Sequence, residues 1–251
     1  MADVLAHRHL QMPTPPLAPA RAAGNKGAME PYPAPPLPTP PPIAPGLTYI
    51  VGVDEAGRGP LAGPVVAGAV ILPVEGIAGL ADSKVLSARR RAVLEETIKA
   101  HCLWAVGVVE VEEIDRINIF AATMKAMTLA VGNLTEQMGR AGLEGGPFQD
   151  RLRVLVDGNM TPQGRVREWC WPVRAIVGGD AIEPAISAAS IIAKEHRDRL
   201  MRALAEAHPG YGWERNAGYG TREHMAALAR LGPTPHHRRS FAPVAQAALL
   251  F

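Results

Sequence analysis

Four carboxylates carry the chemistry that this sequence suggests. The stretch IVGVDEAGRGPLAGPVVAGAVIL, residues 50–72, sets Asp54 and Glu55 side by side at the end of an apolar run. A glycine-rich loop follows them, and its one charged side chain is Arg58. Asp157 ends the run LRVLVD, and Asp180 follows VRAIV. Polar side chains at the carboxyl edge of an α/β sheet are where such folds place their ligands. Taken singly, Asp157 before Gly158 suits a turn, and Asp180 suits a helix cap. Taken together, four acids converging on one edge repel each other unless cations lie between them. With no histidine or cysteine ligand beside them, the donor set suits Mg2+ or Mn2+. Neighbouring strand residues point to opposite faces. Asp54 and Glu55 therefore share one site only if the strand ends or bends there, which Gly57 and Gly59 permit.

The elements that must position these acids alternate along the chain. LTYIVGV reads as a strand ending at Asp54, and VVAGAVIL as a second strand close enough to form a hairpin. LSARRRAVLEETIKAH has helical period, with Ser87 as its N-cap. LWAVGVVEV is a third strand, and a long helix begins at Asn118. Residues 139–149 read as a loop, LRVLVD as a fourth strand and VRAIV as a short fifth. A long helix over EPAISAASIIAKEHRDRLMRALAEAH carries small residues on one face. The glycine-rich loop PGYGWERNAGYG leads into a helix over TREHMAALARL, and a last helix is expected near the C-terminus. This is an α/β domain of about 200 residues with a mixed sheet, large enough for a substantial core.

Composition sets bounds. The chain is 47% hydrophobic and 20% charged, with a formal net charge of +2, too small to name a partner. The basic clusters at Arg89–Arg91, Arg197–Arg202 and His236–Arg239 each read as solvated faces. Roughly half of the 24 prolines precede Leu47, so residues 1–46 read as a disordered, polyproline-like tail. That tail has no apolar core of a secretory signal, and no run approaches the roughly 18 apolar residues of a membrane span. Cys102 and Cys170 match no metal spacing and read as small buried hydrophobes in a reducing cytoplasm. GRGPLAG superficially suggests a dinucleotide fingerprint, but β-like sequence with prolines follows it where that fingerprint needs a helix. What the loop offers instead is bare backbone, with Arg58 as a fork of donors suited to phosphate.

Several long motifs, in one order, resemble bacterial ribonuclease HII, of the type 2 ribonuclease H family. They are VGVDEAGRGPLAGPVVAGAVIL, DSKVLSARRR, INIFAATMKAM, VLVDGN, GGDAIEPAISAASIIAKEHRDRLM and HPGYGWERNAGYGTREHMAALARLGPTPHHRRSF, spanning about Tyr49 to Val244. The resemblance implies an RNase H-like fold over residues 47–251: a mixed five-stranded sheet flanked by helices, with a C-terminal helical extension. It implies a metal-dependent endoribonuclease that hydrolyses the RNA strand of RNA/DNA hybrids. It also implies cutting on the 5′ side of single ribonucleotides embedded in duplex DNA, leaving a 3′-hydroxyl and a 5′-phosphate. By motif, the catalytic and metal-binding acids are Asp54, Glu55, Asp157 and Asp180, holding two Mg2+ or Mn2+ ions. The same resemblance places Gly57, Arg58, Gly59, Ser83, Lys84, Lys194 and Tyr219 at the substrate, Tyr219 beside the sugar whose 2′-hydroxyl distinguishes RNA from DNA. It implies a monomer acting in the cytoplasm on hybrids and ribonucleotide-containing duplexes, with no membrane.

The sequence departs from the family pattern where Gly178 precedes Gly179-Asp180, in place of a usual lysine, and where the segment between Asp157 and Asp180 is longer. The apolar end AQAALLF suits either a packing helix or docking to a sliding clamp. Two other readings compete: a non-catalytic nucleic-acid binder of the same fold, and the related type three ribonuclease, which carries an extra folded N-terminal domain. A pure binder has no use for acids that repel phosphate.

Overall fold

The computed structural model describes residues 48–80, 85–140 and 148–251. The expected tail lies outside these residues, as do Ser83, Lys84 and most of the loop expected over 139–149.

Strand β1, Tyr49–Ala56, is the centre of a five-stranded sheet. On one side it pairs antiparallel with β2, Val65–Ile71, which pairs antiparallel with β3, Leu103–Val109. On the other side it pairs parallel with β4, Leu152–Asp157, which pairs parallel with β5, Val173–Ile176. The order is β3-β2-β1-β4-β5, and β2 alone runs against the rest. The carboxyl ends of β1, β4 and β5 therefore meet at one edge. β1 runs two residues past its expected end, so Asp54 and Glu55 both lie within the strand.

Two helical layers cover the sheet. Helical stretch α2, Val111–Arg140, packs Ala122, Met127, Val131 and Leu134 with Val51, Val53 and Val154 in the larger core. It starts seven residues before the expected position, because VEVEEID alternates like a strand. Asn118 interrupts it at φ 67°, ψ 163°, and the Asn118 side chain accepts from Ala121 N at 3.0 Å to cap the second segment. By length and composition α2 could cross a bilayer, contrary to the expectation that no run would. Half of its most apolar window is buried in the molecule, where it serves as a core helix.

The opposite face carries α1, Ala88–His101, and α4, Pro184–Ala207. Ser87 caps α1 as expected, accepting from Arg90 N at 3.3 Å. Leu94 and Ile98 of α1 pack with Ile191 and Ile192 of α4. Around them Arg91–Glu195 (2.9 Å) and Glu95–Arg199 (2.7 Å) tie the helix pair together, and Lys99 pairs with Glu95 (2.9 Å) within α1.

Helix α4 lies unusually close to the sheet. A Cβ on Gly52 would sit 2.0 Å from the carbonyl carbon of Ala185, and one on Gly68 2.5 Å from the Ala189 oxygen. The small residues of α4 and these two glycines are complementary surfaces of one contact.

A C-terminal extension holds α5 (Trp213–Asn216), α6 (Arg222–Leu231) and α7 (Ala242–Ala248). The short turn α5 falls where only a loop was expected. Tyr211 stacks on Trp213, with centroids 5.1 Å apart, and buried His224 and His237 complete the cluster. Cys102 is buried as expected, whereas Cys170 is exposed, since Trp169 and Trp171 on either side take the core positions of that segment.

Candidate metal centre

Parallel register sets up the acidic site. Val53 pairs with Val156, so Asp54 and Asp157 are the next residues on adjacent parallel strands. From the end of β5 the chain turns through Gly178, at φ 65°, into the short helix α3, Gly179–Ile182. That turn carries Asp180 back to the same edge, and Asp180 N donates to Asp157 Oδ1 at 3.4 Å. One ligand oxygen from each of Asp54, Asp157 and Asp180 lies within 4.8 Å of the other two. Gly178, where the resemblance led to the expectation of a lysine, suits this left-handed turn.

Burial makes the cluster unfavourable without a cation. Asp54 and Asp180 are 4% and 5% exposed. The Asp54 carboxyl is pushed well above its ordinary range, first by burial and then by the charges of Glu55 and Asp157. A hydrogen bond from Ser190 and one from Glu55 N, at 2.7 Å, oppose the shift. Three crowded carboxylate oxygens with no nitrogen or sulfur donor fit a hard divalent cation.

Glu55 stands apart from the trio. Strand alternation sends it to the other face, and its carboxylate meets Arg58 at 3.3 Å. It nonetheless lines the same cleft, of about 260 Å³, with Asp54, Asp157, Gly57, Arg58, Gly59, Lys194 and Tyr219. Lys194 is held by Asp198, at 2.6 Å to each carboxylate oxygen. Tyr219 is 49% exposed, so it is a cleft residue and not a core aromatic. Of the residues expected at the site, all but Asp180, Ser83 and Lys84 line this cleft; Asp180 joins it through the acid trio, and Ser83 and Lys84 lie outside the described residues.

Sequence reasoning missed the supports. Ser190 reads as a small residue of α4 yet touches Asp54. Arg197 and Arg238, read as parts of solvated clusters, are 2% and 0% exposed. For Arg197 the signal is helical phase, since it follows Ser190 and Ala193 along the buried face of α4; Arg238 lies between α6 and α7, where no such period marks it. His237 is buried in the aromatic cluster, where burial and nearby histidines push its imidazole down to about 3. Neutral tautomers follow from its contacts. Trp213 Nε1 donates to His224 Nε2 (3.0 Å), and His224 Nδ1–H donates to the Tyr219 carbonyl (2.9 Å). Thr234 N donates to His237 Nδ1 (3.0 Å), leaving His237 Nε2–H to donate to His224 Nε2 (3.1 Å).

The ribonuclease HII family model matches residues 51–244. The ribonuclease HII of Novosphingobium aromaticivorans is 70% identical over 200 residues, covering 80% of this chain and 98% of that protein. The ribonuclease HII of Sphingopyxis alaskensis is 61% identical, covering 80% of this chain and 92% of that one. Among solved structures, the PCNA:RNase HII complex of Archaeoglobus fulgidus aligns with a TM-score of 0.58 at 26% identity, over 76% of this chain and 93% of that one. Bst-RNase HIII in complex with Mn2+ aligns with a TM-score of 0.63 at 18% identity, over 82% of this chain and 70% of that one, a likeness of fold.

Proposed function

This chain belongs to the ribonuclease HII family of metal-dependent endoribonucleases, and from that premise we propose that it cuts duplex DNA on the 5′ side of a single embedded ribonucleotide. RNA strands of RNA/DNA hybrids are its other substrate. The observation that carries the finer reading is the juxtaposition, in one cleft, of Asp54 and Asp157 of the acid trio with an exposed tyrosine and a glycine loop.

Asp54, Asp157 and Asp180 would hold two divalent cations, Mg2+ or Mn2+, with Glu55 at the rim. Bound there, such cations neutralise charge at phosphorus, acidify the attacking water and stabilise the leaving 3′-oxygen. The protein's own groups do the rest. Asp54 and Asp157 present their oxygens from a rigid parallel ladder, so their spacing does not depend on substrate. Ser190 and Glu55 N donate to Asp54 and orient its carboxyl group. Arg58 and the backbone of Gly57 and Gly59 face the phosphates, and Tyr219 contacts the 2′-hydroxyl, which DNA lacks. No general-base histidine is needed, and His224 and His237 are committed to each other and to backbone.

The test is a labelled duplex with one ribonucleotide, beside an all-DNA duplex and a long hybrid, in Mg2+, Mn2+ and chelator. A metal-dependent cut 5′ to the ribonucleotide, weakened more than hybrid cutting in Tyr219→Phe, is expected. Cutting confined to the long hybrid would sink the roles given to Tyr219 and the loop. We also propose a sliding-clamp partner for the C-terminal end. Leu249, Leu250 and Phe251 are exposed there, and the Archaeoglobus fulgidus relative was solved with PCNA. Removing residues 249–251 should abolish clamp binding, and unchanged binding would refute this.

A further inference from the structure

Two guanidinium groups lie buried behind the 57–64 loop, and their hydrogen bonds go to carbonyl oxygens. Arg238 Nη2 donates to Gly57 O (2.6 Å) and Gly63 O (2.8 Å), Nε to Gly63 O (3.0 Å) and Nη1 to Arg58 O (3.0 Å). Arg197 reaches Pro64 O (2.9 Å), Ala62 O (3.0 Å) and Ala217 O (3.0 Å). Burial is costly for both. It is the main cause that lowers Arg238 to about 9 and Arg197 to about 10, and the charge of Arg197 lowers Arg238 further. No carboxylate makes an ion pair with either among the described residues. A buried charge without an ion-pair partner costs stability, so its retention calls for a use.

Peptide geometry supplies the use. No peptide is cis among the described residues, so each C=O there points opposite to the N–H of the next residue. Arg238 draws the Gly57 and Arg58 carbonyls inward. The N–H groups of Arg58 and Gly59 must then point away from Arg238, and both residues line the cleft. Among the described residues neither N–H has a backbone partner. Gly57 is needed at the first peptide, since φ is 101° and a Cβ would lie 2.1 Å from Arg197 Nε. Successive N–H groups converging on one point form an anion site.

We propose that Arg238 is a positioning residue, which aims the Arg58 and Gly59 N–H groups at a substrate phosphate beside the acid trio. Arg197 holds the far end of the loop in the same way and ties it, through Ala217, to the segment that carries Tyr219. This rests on the nucleic-acid reading above and extends it to a residue 180 positions from the loop.

The substitution Arg238→Lys keeps the charge, but a single ammonium cannot satisfy three carbonyls that a planar fork spans. It should raise KM by about tenfold, the worth of a lost hydrogen bond to a charged group. The kcat and the Mn2+ affinity should stay within about twofold of wild type. An unchanged KM, or loss of kcat and Mn2+ affinity together with KM, would overturn the proposal. Should the variant not fold, the wild type decides: ¹H–¹⁵N spectra of the full chain with the ribonucleotide duplex, with Ca2+ to slow turnover. Large downfield shifts of the Arg58 and Gly59 amides are expected. Unmoved amides on a duplex that is bound, and cut when Mg2+ is restored, would refute the positioning role alone. A wild type that neither binds nor cuts the duplex would instead remove the functional reading, and this proposal with it.

Discussion

Asp54 sits at 4% exposure between two other acids, and its chemistry follows from that placement. Its folded carboxyl holds a proton more tightly than an unfolded one, whose ordinary value is 3.8. The folded state thus binds more protons over that interval. Metal-free protein must lose stability as pH rises from about 4 through the raised folded value. Asp54→Asn removes the charge and keeps the shape. At pH 8 in chelator the variant should melt several degrees above wild type, while Mn2+ raises the melting temperature of wild type only. A metal-free variant that melts below wild type would contradict the crowding argument. At this scale the acids were legible, because residue type and strand-end position both appear in the sequence. Arg197 and Arg238 were not. Burial of an arginine is decided by what folds over it, and adjacent Arg199, Arg202 and Arg239 made both look like members of a solvated face.

The elements transmit precision to these residues through contact distance. Helix α4 reaches Asp54 with Ser190 because Gly52 and Gly68 leave no side chain between sheet and helix. Gly52→Ala places a methyl 2.0 Å from the backbone of Ala185, which cannot yield as a side chain would. A loss of about 2–3 kcal/mol in urea unfolding is expected, with Mn2+ affinity falling as α4 moves from Asp54 and α3 carries Asp180 from the other two acids. Unaltered stability would show that α4 is less closely fixed than described. Strands and caps were readable from alternation and from Ser87. The start of α2 was not, since Glu110 and Glu112 alternate with Val109 and Val111 as in a strand and the break at Asn118 imitates a beginning. Glu55 shows the same limit. Its place in the sequence beside Asp54 suggested a shared role, but the pleat separates them, and they meet again only at the cleft.

Across the whole molecule, the sheet edge supplies the acids and the C-terminal extension supplies what faces them. The extension is locked on by Leu61 N to Gly218 O (2.8 Å), Gly63 N to His236 O (2.9 Å) and Arg238 N to Leu61 O (2.8 Å). The histidine–tryptophan cluster inside it works only with neutral rings, because His224 Nε2 accepts from both Trp213 and His237. His237 falls to about 3 in the folded state from an ordinary value of 6.5. The unfolded chain therefore binds more protons between those values, and stability is lost as pH falls from about 6.5 toward 3. His237→Gln should flatten the decline measured by urea unfolding between pH 7.5 and 5. An equally steep decline in the variant would assign the acid sensitivity elsewhere.

The central claim is that Asp54, Asp157 and Asp180 form the metal centre at which the RNA strand is cut. Its most direct test is the Mn2+-dependent cleavage rate of a labelled RNA/DNA hybrid, wild type against Asp157→Asn, at equal folded fraction by circular dichroism. The account predicts that wild type cuts only with metal and that the variant is slower by about a hundredfold or more. Wild-type cutting in chelator, or a variant that cuts at the wild-type rate, would contradict it.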